Sequence, residues 1–563
     1  MSKKVVIVGG VAGGASTAAR LRRLSEDVEI ILLERGEYIS YANCGLPYYI
    51  GGKIEERDSL FVMTPEKFKA RVNVDVRLQH EALLIDREKK EVEVLNRISG
   101  ERYRQSYDNL VLSPGAEPLH PPLPGIDSPG IFSLRSVSDT DRIYNFIEEK
   151  EPRKAVVVGA GYIGMEMAEN LRHRGMEVTL VELVPQVLPP VDSDMAVLVQ
   201  QYIRALGLGL RLGDRVKEFH LRENGGLAVD LGNGEHLEAD LVILSIGVKP
   251  EIKLAGEAGL EVERGIVVNE YMQTSDPAIY ALGDAVEVKN LVTGKPAVIP
   301  LAGPANKQGR IVANNIAGHR DEYRGTQGTS VLKIFDMTVA TTGVNERTLD
   351  IEKIAYRSVI VHPSDHASYY PGASPLSLKL LFDPGGNILG AQAVGFSGVE
   401  KRIDVIATAL RSGATVYDLQ ELELAYAPQY SSAKDPVNIA GFVASNLLRK
   451  DYRTIEAAVL LKMEQEDVQI LDVREREEYE LGYVSHSINI PLGELRKRLN
   501  ELDPSKKIIT YCSVGLRSYL ALRILFLNGF GNVLNLNGGY RTYQALRSEM
   551  GGKGYSDMNG KMK

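Results

Sequence analysis

The 563 residues contain two cysteines, and each lies where thiol chemistry is plausible on residue type alone. Cys44 sits in Ser40-Tyr41-Ala42-Asn43-Cys44-Gly45-Leu46-Pro47-Tyr48, a short way beyond a glycine-rich turn. Taken alone it reads equally well as a small buried hydrophobe. Cys512 follows the apolar run Lys507 to Tyr511 and opens the loop Cys512-Ser513-Val514-Gly515-Leu516-Arg517. A loop that wraps from a strand into a helix N-terminus aims successive backbone N–H groups at one spot. That spot stabilises a thiolate and lowers the thiol pKa. Two cysteines cannot form a disulfide framework, so a reducing cytoplasm is expected, with both thiols free to react.

The elements around Cys44 read as nucleotide-binding units. The β-branched run Lys4 to Val8 leads into Gly9-Gly10-Val11-Ala12-Gly13-Gly14, a helix to Leu24, and a strand Val28 to Leu33 ending on Glu34. This is the layout of a dinucleotide site: tight turn, helix N-terminus for the pyrophosphate, acid for the ribose hydroxyls. Val11 takes the place of the usual middle glycine. A second copy has all three glycines, Gly159-Ala160-Gly161-Tyr162-Ile163-Gly164, and its next strand ends on Glu182. An acid there bonds ribose hydroxyls and repels a 2′-phosphate, which favours NADH over NADPH. Glu166, two residues past this motif, is a candidate for the nicotinamide pocket. Two dinucleotide sites in one chain suggest hydride transfer from a nicotinamide to FAD.

Two further strands end in glycine turns, Leu110 to Ala116 (with Ser113-Pro114-Gly115) and Leu241 to Gly247. They are expected to carry the chain out of the first domain and back around the second. A strand then ends in Gly283-Asp284. Over residues 1 to about 445 this set resembles the pyridine nucleotide–disulfide oxidoreductase superfamily, and the resemblance implies that Asp284 binds the flavin's ribityl chain. It also implies cofactor contacts from Arg35, Asn43 and Ala302. Glutathione-reductase-like members carry C-x-x-x-x-C beside the flavin; here the position five after Cys44 is Tyr49. The Cys44 stretch instead resembles the single-cysteine group, the coenzyme A-disulfide reductases and their relatives the NADH peroxidases and oxidases. That likeness implies a thiol cycling through a mixed disulfide, persulfide or sulfenic acid. It also implies a coenzyme A site using Ser40, Asn43 and Arg23; Arg20, Lys67 and Arg71 are further candidates for its phosphates.

Residues 326–450 resemble the family's α+β dimerisation domain, which implies a homodimer. Tyr370, Tyr426 and Tyr430 match segments that supply tyrosines to the partner's cysteine site. After a polar junction at 446–455 the chain begins again as a small α/β domain, 456–550, resembling a rhodanese. Four residues separate Cys512 from Arg517, where the related phosphatases need five. The likeness gives Asp472, Arg474 and His486 structural roles.

The expected fold is therefore α/β. It combines a discontinuous FAD domain (1–115 and 245–325), an NAD(P)H domain (116–244), the dimerisation domain, the rhodanese domain and a mobile tail, 551–563. No metal site is expected. The net charge of −8 argues against nucleic acid, no apolar run is long enough to span a bilayer, and Met1-Ser2-Lys3-Lys4 leaves no room for a signal peptide. The expected activity is reduction of coenzyme A persulfide, polysulfide or coenzyme A disulfide by NADH, coupled to sulfane-sulfur transfer at Cys512. An NADH peroxidase or oxidase is the alternative.

Overall fold

Lys4–Val8 is the middle strand of a parallel sheet ordered Ile279–Ala281, Asn109–Leu112, Lys4–Val8, Glu29–Glu34, Asp75–Leu78. The structure is a computed structural model that describes residues 2–223, 225–463 and 468–550; the segment 551–563 lies outside the described residues. Val5, Val6 and Ile7 are wholly buried, as a parallel strand covered on both faces requires. Helix Ala12–Leu24 begins at the glycine turn. Gly9 has φ +96°, and a Cβ on Gly14 would fall 1.8 Å from the Gly9 carbonyl oxygen, so this close strand-to-helix turn admits only glycine.

The second glycine motif repeats the arrangement in a parallel sheet ordered Gly209–Leu212, Glu177–Glu182, Lys154–Val158, Leu241–Leu244, Ile131–Ser133. The chain passes between the two sheets on Ala116–Pro118 and Val248–Pro250, which pair antiparallel. A three-stranded antiparallel sheet, Val216–Leu221, Leu227–Leu231 and His236–Ala239, lays Phe219, Leu227, Val229 and Leu231 against Val156, Val158 and Val242. These elements belong to one compact unit, Met1–Pro185 with Leu208–Gly328.

The second unit comprises Gln186–Gly207 and the residues from Thr329 onward. Its antiparallel sheet runs Ser330–Ile334, Met337–Gly343, Ile388–Gly395, Ser377–Phe382, Arg357–Val361, with helices Val399–Arg411 and Pro436–Leu448 packed in the same core. Helix Ser193–Ala205, which interrupts the second nucleotide-binding sheet in sequence, is tied into this unit by charge. Lys379, with no exposed side-chain surface, holds Asp192, Asp194 and Glu346 at 3.1, 2.7 and 3.0 Å. Asp192 and Gln392 exchange two hydrogen bonds of 2.8 Å.

The C-terminal parallel sheet is ordered Thr454–Ile455, Val533–Leu536, Lys507–Tyr511, Val468–Asp472, Ser487–Asn489. The sequence reads 446–455 as a polar junction, yet its Tyr452 is buried against Tyr519 and donates to the Val443 carbonyl at 3.2 Å. Asn537 fastens the sheet to the antiparallel one, accepting from Ile360 N–H at 2.9 Å and donating to Glu456 at 3.0 Å.

Removing Lys379 leaves three carboxylates in its cluster without their cation. Breaking a buried ion pair by removing one partner costs about 3–5 kcal/mol. Lys379→Met is expected to lower the urea midpoint of this unit, followed by circular dichroism; an unchanged midpoint would contradict the assignment.

Candidate functional site

The two acids that end the nucleotide-binding strands are held alike. Glu34 accepts from Gly10 N–H and Gly36 N–H, both at 2.8 Å. Glu182 accepts from Ala160 N–H at 2.7 Å and Val184 N–H at 3.1 Å. In each case one oxygen is fixed by the glycine turn and the other by the residue two places on. The carboxylate is thereby aimed before any ligand arrives, with lone pairs left for ribose hydroxyls.

A cavity of about 1330 Å³ runs along the first of these turns. Gly9, Ala12, Gly13, Glu34, Arg35, Asn43, Ser113, Pro114, Gly115, Gly283 and Asp284 all line it, so most of the first-domain cofactor residues read from sequence meet in one space. Gly10 and Gly14 instead build the turn, and Ala302 opens the helix whose Ala305, one turn on, reaches the cavity. Gly159, Gly161, Tyr162, Ile163 and Gly164 form the second turn and helix start. Gly247, with φ +113°, lies in the returning connection. Arg135 has no signal in the sequence. It lies against Gly115, where a Cβ would strike its guanidinium, and it draws down the Asp284 carboxyl that burial pushes up. The residues present fit a flavin dinucleotide: an aimed acid for a ribose, an aspartate at the far strand end, and a cation between them.

Cys44 is exposed, in the turn Asn43–Gly45 that leads into helix Leu46–Ile50. Burial first, then the carboxylates of Glu166 and Asp284, push its thiol up. The Cys44 thiol therefore feels a carboxylate from each nucleotide-binding lobe. Tyr48 donates to Glu166 at 3.3 Å, and Lys53 binds Glu169 at 2.5 Å. Sequence reading passed over Tyr48 because tyrosine beside proline carries no chemical signature.

Among the coenzyme A candidates, Arg20 donates to Asn314 at 2.8 Å, while Arg23, Lys67 and Arg71 are exposed. Arg22, inside the same basic stretch, is buried and donates to the carbonyls of Ser25, Glu26, Val28, Val72 and Asn73 at 2.7–3.2 Å. It fastens the end of helix Pro65–Val72, which carries Lys67 and Arg71, to helix Ala12–Leu24, which carries Arg20 and Arg23. Ser40 takes φ +46°, donates to the Gly10 carbonyl and accepts from Val62 N–H, which sets the entry to the cysteine turn.

In the second unit, Tyr370, Tyr426 and Tyr430 are exposed together with Tyr369, whose hydroxyl meets that of Tyr426 at 2.9 Å. Their two loops are joined by Ala367 N–H, shared between the carbonyls of Pro428 and Ser431. A cluster of exposed aromatics suits a protein interface.

The Cys512 loop closes around its sulfur. Gly515 N–H lies 3.1 Å and Ser518 Oγ 3.5 Å from Sγ, and Gly515 takes φ +108° as helix Leu516–Leu527 begins. Val514 and Leu516 are exposed at the rim. Arg517 points away into a two-pronged pair with Glu478 at 2.6 and 2.7 Å, and Ser513 donates to the same carboxylate at 2.7 Å. Arg517 holds Glu478 down at about 2. Glu478 was invisible in sequence, 34 residues ahead of the cysteine among other acids. Asp472 and Arg474 form a buried pair at 2.6 Å beneath Tyr540, a packing role.

Glu166 supplies a pH test. Burial raises it to about 7, against the lowering effect of the Tyr48 hydroxyl. A rate that depends on its protonation inflects near that pH. Glu166→Gln should abolish the inflection in the kcat–pH profile, and Tyr48→Phe, which removes the lowering bond, should move it upward. A profile unchanged in Glu166→Gln would exclude the residue from the step measured.

Residues 3–309 match the pyridine nucleotide-disulphide oxidoreductases, 329–436 their dimerisation domain and 456–546 the rhodanese-like domain. The coenzyme A disulfide reductase of Staphylococcus haemolyticus is 37% identical over 451 residues, 79% of this chain and 100% of that protein. The crystal structure of reduced Bacillus anthracis CoADR-RHD superposes with a TM-score of 0.95 at 50% identity, covering 98% of this chain and 99% of that one. A NAD-dependent persulfide reductase from A. fulgidus gives 0.90 at 40% identity, covering 96% and 100%. The chain belongs to the pyridine nucleotide-disulphide oxidoreductases and carries a rhodanese-like domain after its dimerisation domain.

Proposed function

We propose that the protein uses NADH to reduce the sulfur–sulfur bond of coenzyme A persulfide, polysulfide or coenzyme A disulfide, and that Cys512 handles the sulfane sulfur. The observation that carries this reading is Cys44, a lone thiol next to Asn43, which lines the first nucleotide cradle, and under the influence of Glu166 and Asp284. Burial and these two carboxylates push its thiol up. A flavin adenine dinucleotide would be held by Glu34, Arg135 and Asp284 and would supply a two-electron relay between nicotinamide and sulfur.

The chain's residues then divide the work. Glu182 bonds the ribose of NADH. The Cys44 thiolate attacks the substrate's sulfur–sulfur bond, keeps one half as a mixed disulfide and releases the other. Two electrons from NADH cleave that mixed disulfide and restore the thiolate. For a persulfide the balance is NADH + H⁺ + RSSH giving NAD⁺ + RSH + H₂S. Glu166, poised near neutrality and bonded to Tyr48, holds a proton for the departing sulfur. Arg20, Arg23, Lys67 and Arg71 bind the phosphates of coenzyme A. Cys512 accepts sulfane sulfur as a persulfide, its outer sulfur resting on Gly515 N–H, and passes it to a thiol such as coenzyme A. The tyrosine loops bind the partner in a homodimer. A reducing cytoplasm keeps both cysteines as thiols; no helix among the described residues is long and apolar enough to cross a membrane. The activities named for the relatives, coenzyme A disulfide reductase and NAD-dependent persulfide reductase, support the reading.

The test compares kcat/KM for NADH oxidation with coenzyme A persulfide, coenzyme A disulfide, polysulfide, peroxide and oxygen. A sulfur substrate should lead by at least tenfold, with Cys44→Ser at background and Cys512→Ala losing only sulfurtransfer. A lead for peroxide or oxygen would instead establish the sulfenic acid chemistry of an NADH peroxidase or oxidase.

A further inference from the structure

The three-stranded sheet of the second nucleotide-binding lobe has two unlike faces. Its inner face is apolar; its outer face gathers two of the chain's nine histidines, His220 and His236, and the carboxylates of Glu218, Asp230 and Glu238. Register explains the grouping. Glu218 and His220, two apart on one strand, project on the same side. Glu218 stands opposite Asp230 on the next strand, and Asp230 stands opposite His236 on the third.

We propose that this face binds a divalent first-row transition ion, of the class of Zn²⁺ or Ni²⁺, through His220 Nε2, Asp230 Oδ2 and Glu218 Oε2. The donor atoms of these three residues lie within 4.8 Å of one another. His220 Nε2 is 3.2 Å from Asp230 Oδ2 and 3.5 Å from Glu218 Oε2. Tetrahedral zinc with bonds of about 2.0–2.1 Å separates its ligands by about 3.3 Å, so these two separations already have the spacing of a coordination shell. His236 plays the supporting part. Its Nδ1 lies 2.6 Å from Asp230 Oδ1, which fixes the carboxylate and turns Oδ2 toward His220. The neighbouring cations do not compete, since Arg222 and Lys154 pair with Glu238 at 2.8 and 3.0 Å.

The donor set selects the ion. Imidazole with carboxylate suits Zn²⁺, Ni²⁺ or Cu²⁺, whereas Mg²⁺ and Ca²⁺ take oxygen ligands. The side chains are solvent-accessible, His220 by about half, so water completes the shell and the ion exchanges with bulk. Bound there, it joins the first strand of this sheet to the second. The spacing Glu218-x-His220, then Asp230, then His236 matches no linear metal motif, which is why the sequence reading expects none.

Isothermal titration of ZnCl₂ into the EDTA-treated full-length chain tests the proposal, in a Cys44→Ser, Cys512→Ser background so that neither thiol competes. One ion per chain is expected, with MgCl₂ and CaCl₂ failing to displace it. His220→Asn and Asp230→Asn should each weaken binding at least tenfold, and His236→Asn by a smaller factor. Co²⁺ in the same chain should give the visible bands of nitrogen and oxygen ligation. Absence of a one-to-one site, or a site unchanged in both His220→Asn and Asp230→Asn, would overturn the proposal and leave the face a set of cross-strand ion pairs.

Discussion

A disulfide requires two sulfurs, with their Cβ atoms about 3.8 Å apart, and the unit that holds Cys44 contains no second one. Every other feature of the first site follows from that constraint. A lone thiol cannot form a disulfide within that unit, so in the proposed reaction its sulfur partner arrives with the substrate. The surroundings then have to admit a bulky thiol, hold it, and protonate what leaves. The proposed function assigns those three needs in turn to the exposure of Cys44, to the exposed cations Arg23, Lys67 and Arg71, and to the Tyr48–Glu166 pair.

The electrostatics run against the thiolate in the chain by itself, since burial, Glu166 and Asp284 all raise the Cys44 thiol. The surroundings of Cys512 are of another kind. It is buried, with a backbone N–H and a hydroxyl directed at the sulfur, and its loop arginine is held aside by Glu478.

Much of this was legible in the sequence because it depends on local periodicity and turn chemistry. The β-branched runs before Gly9 and Gly159 could only be buried parallel strands, and the acids ending the following strands, Glu34 and Glu182, had a role fixed by spacing. The loop from Cys512 to Arg517 was equally plain. What escaped was set by tertiary placement. Arg22 looks like its basic neighbours in sequence, and only the approach of Val72 and Asn73 makes it an internal strut. Arg135, Tyr48 and Glu478 acquire their roles from residues far along the chain. Helix Ser193–Ala205 reads as part of a nucleotide-binding domain, while its binding to the second unit rests on Lys379, a single lysine in an apolar strand.

The central claim is that Cys44 acts alone, in a disulfide whose other half comes from outside the chain. The intact mass of the protein, purified without reductant and then exposed to coenzyme A disulfide, tests it directly. One added coenzyme A per chain, absent from Cys44→Ser, retained in Cys512→Ala and released by NADH, is the predicted result. An adduct that survives in Cys44→Ser, or a gain of oxygen mass alone, would contradict the account.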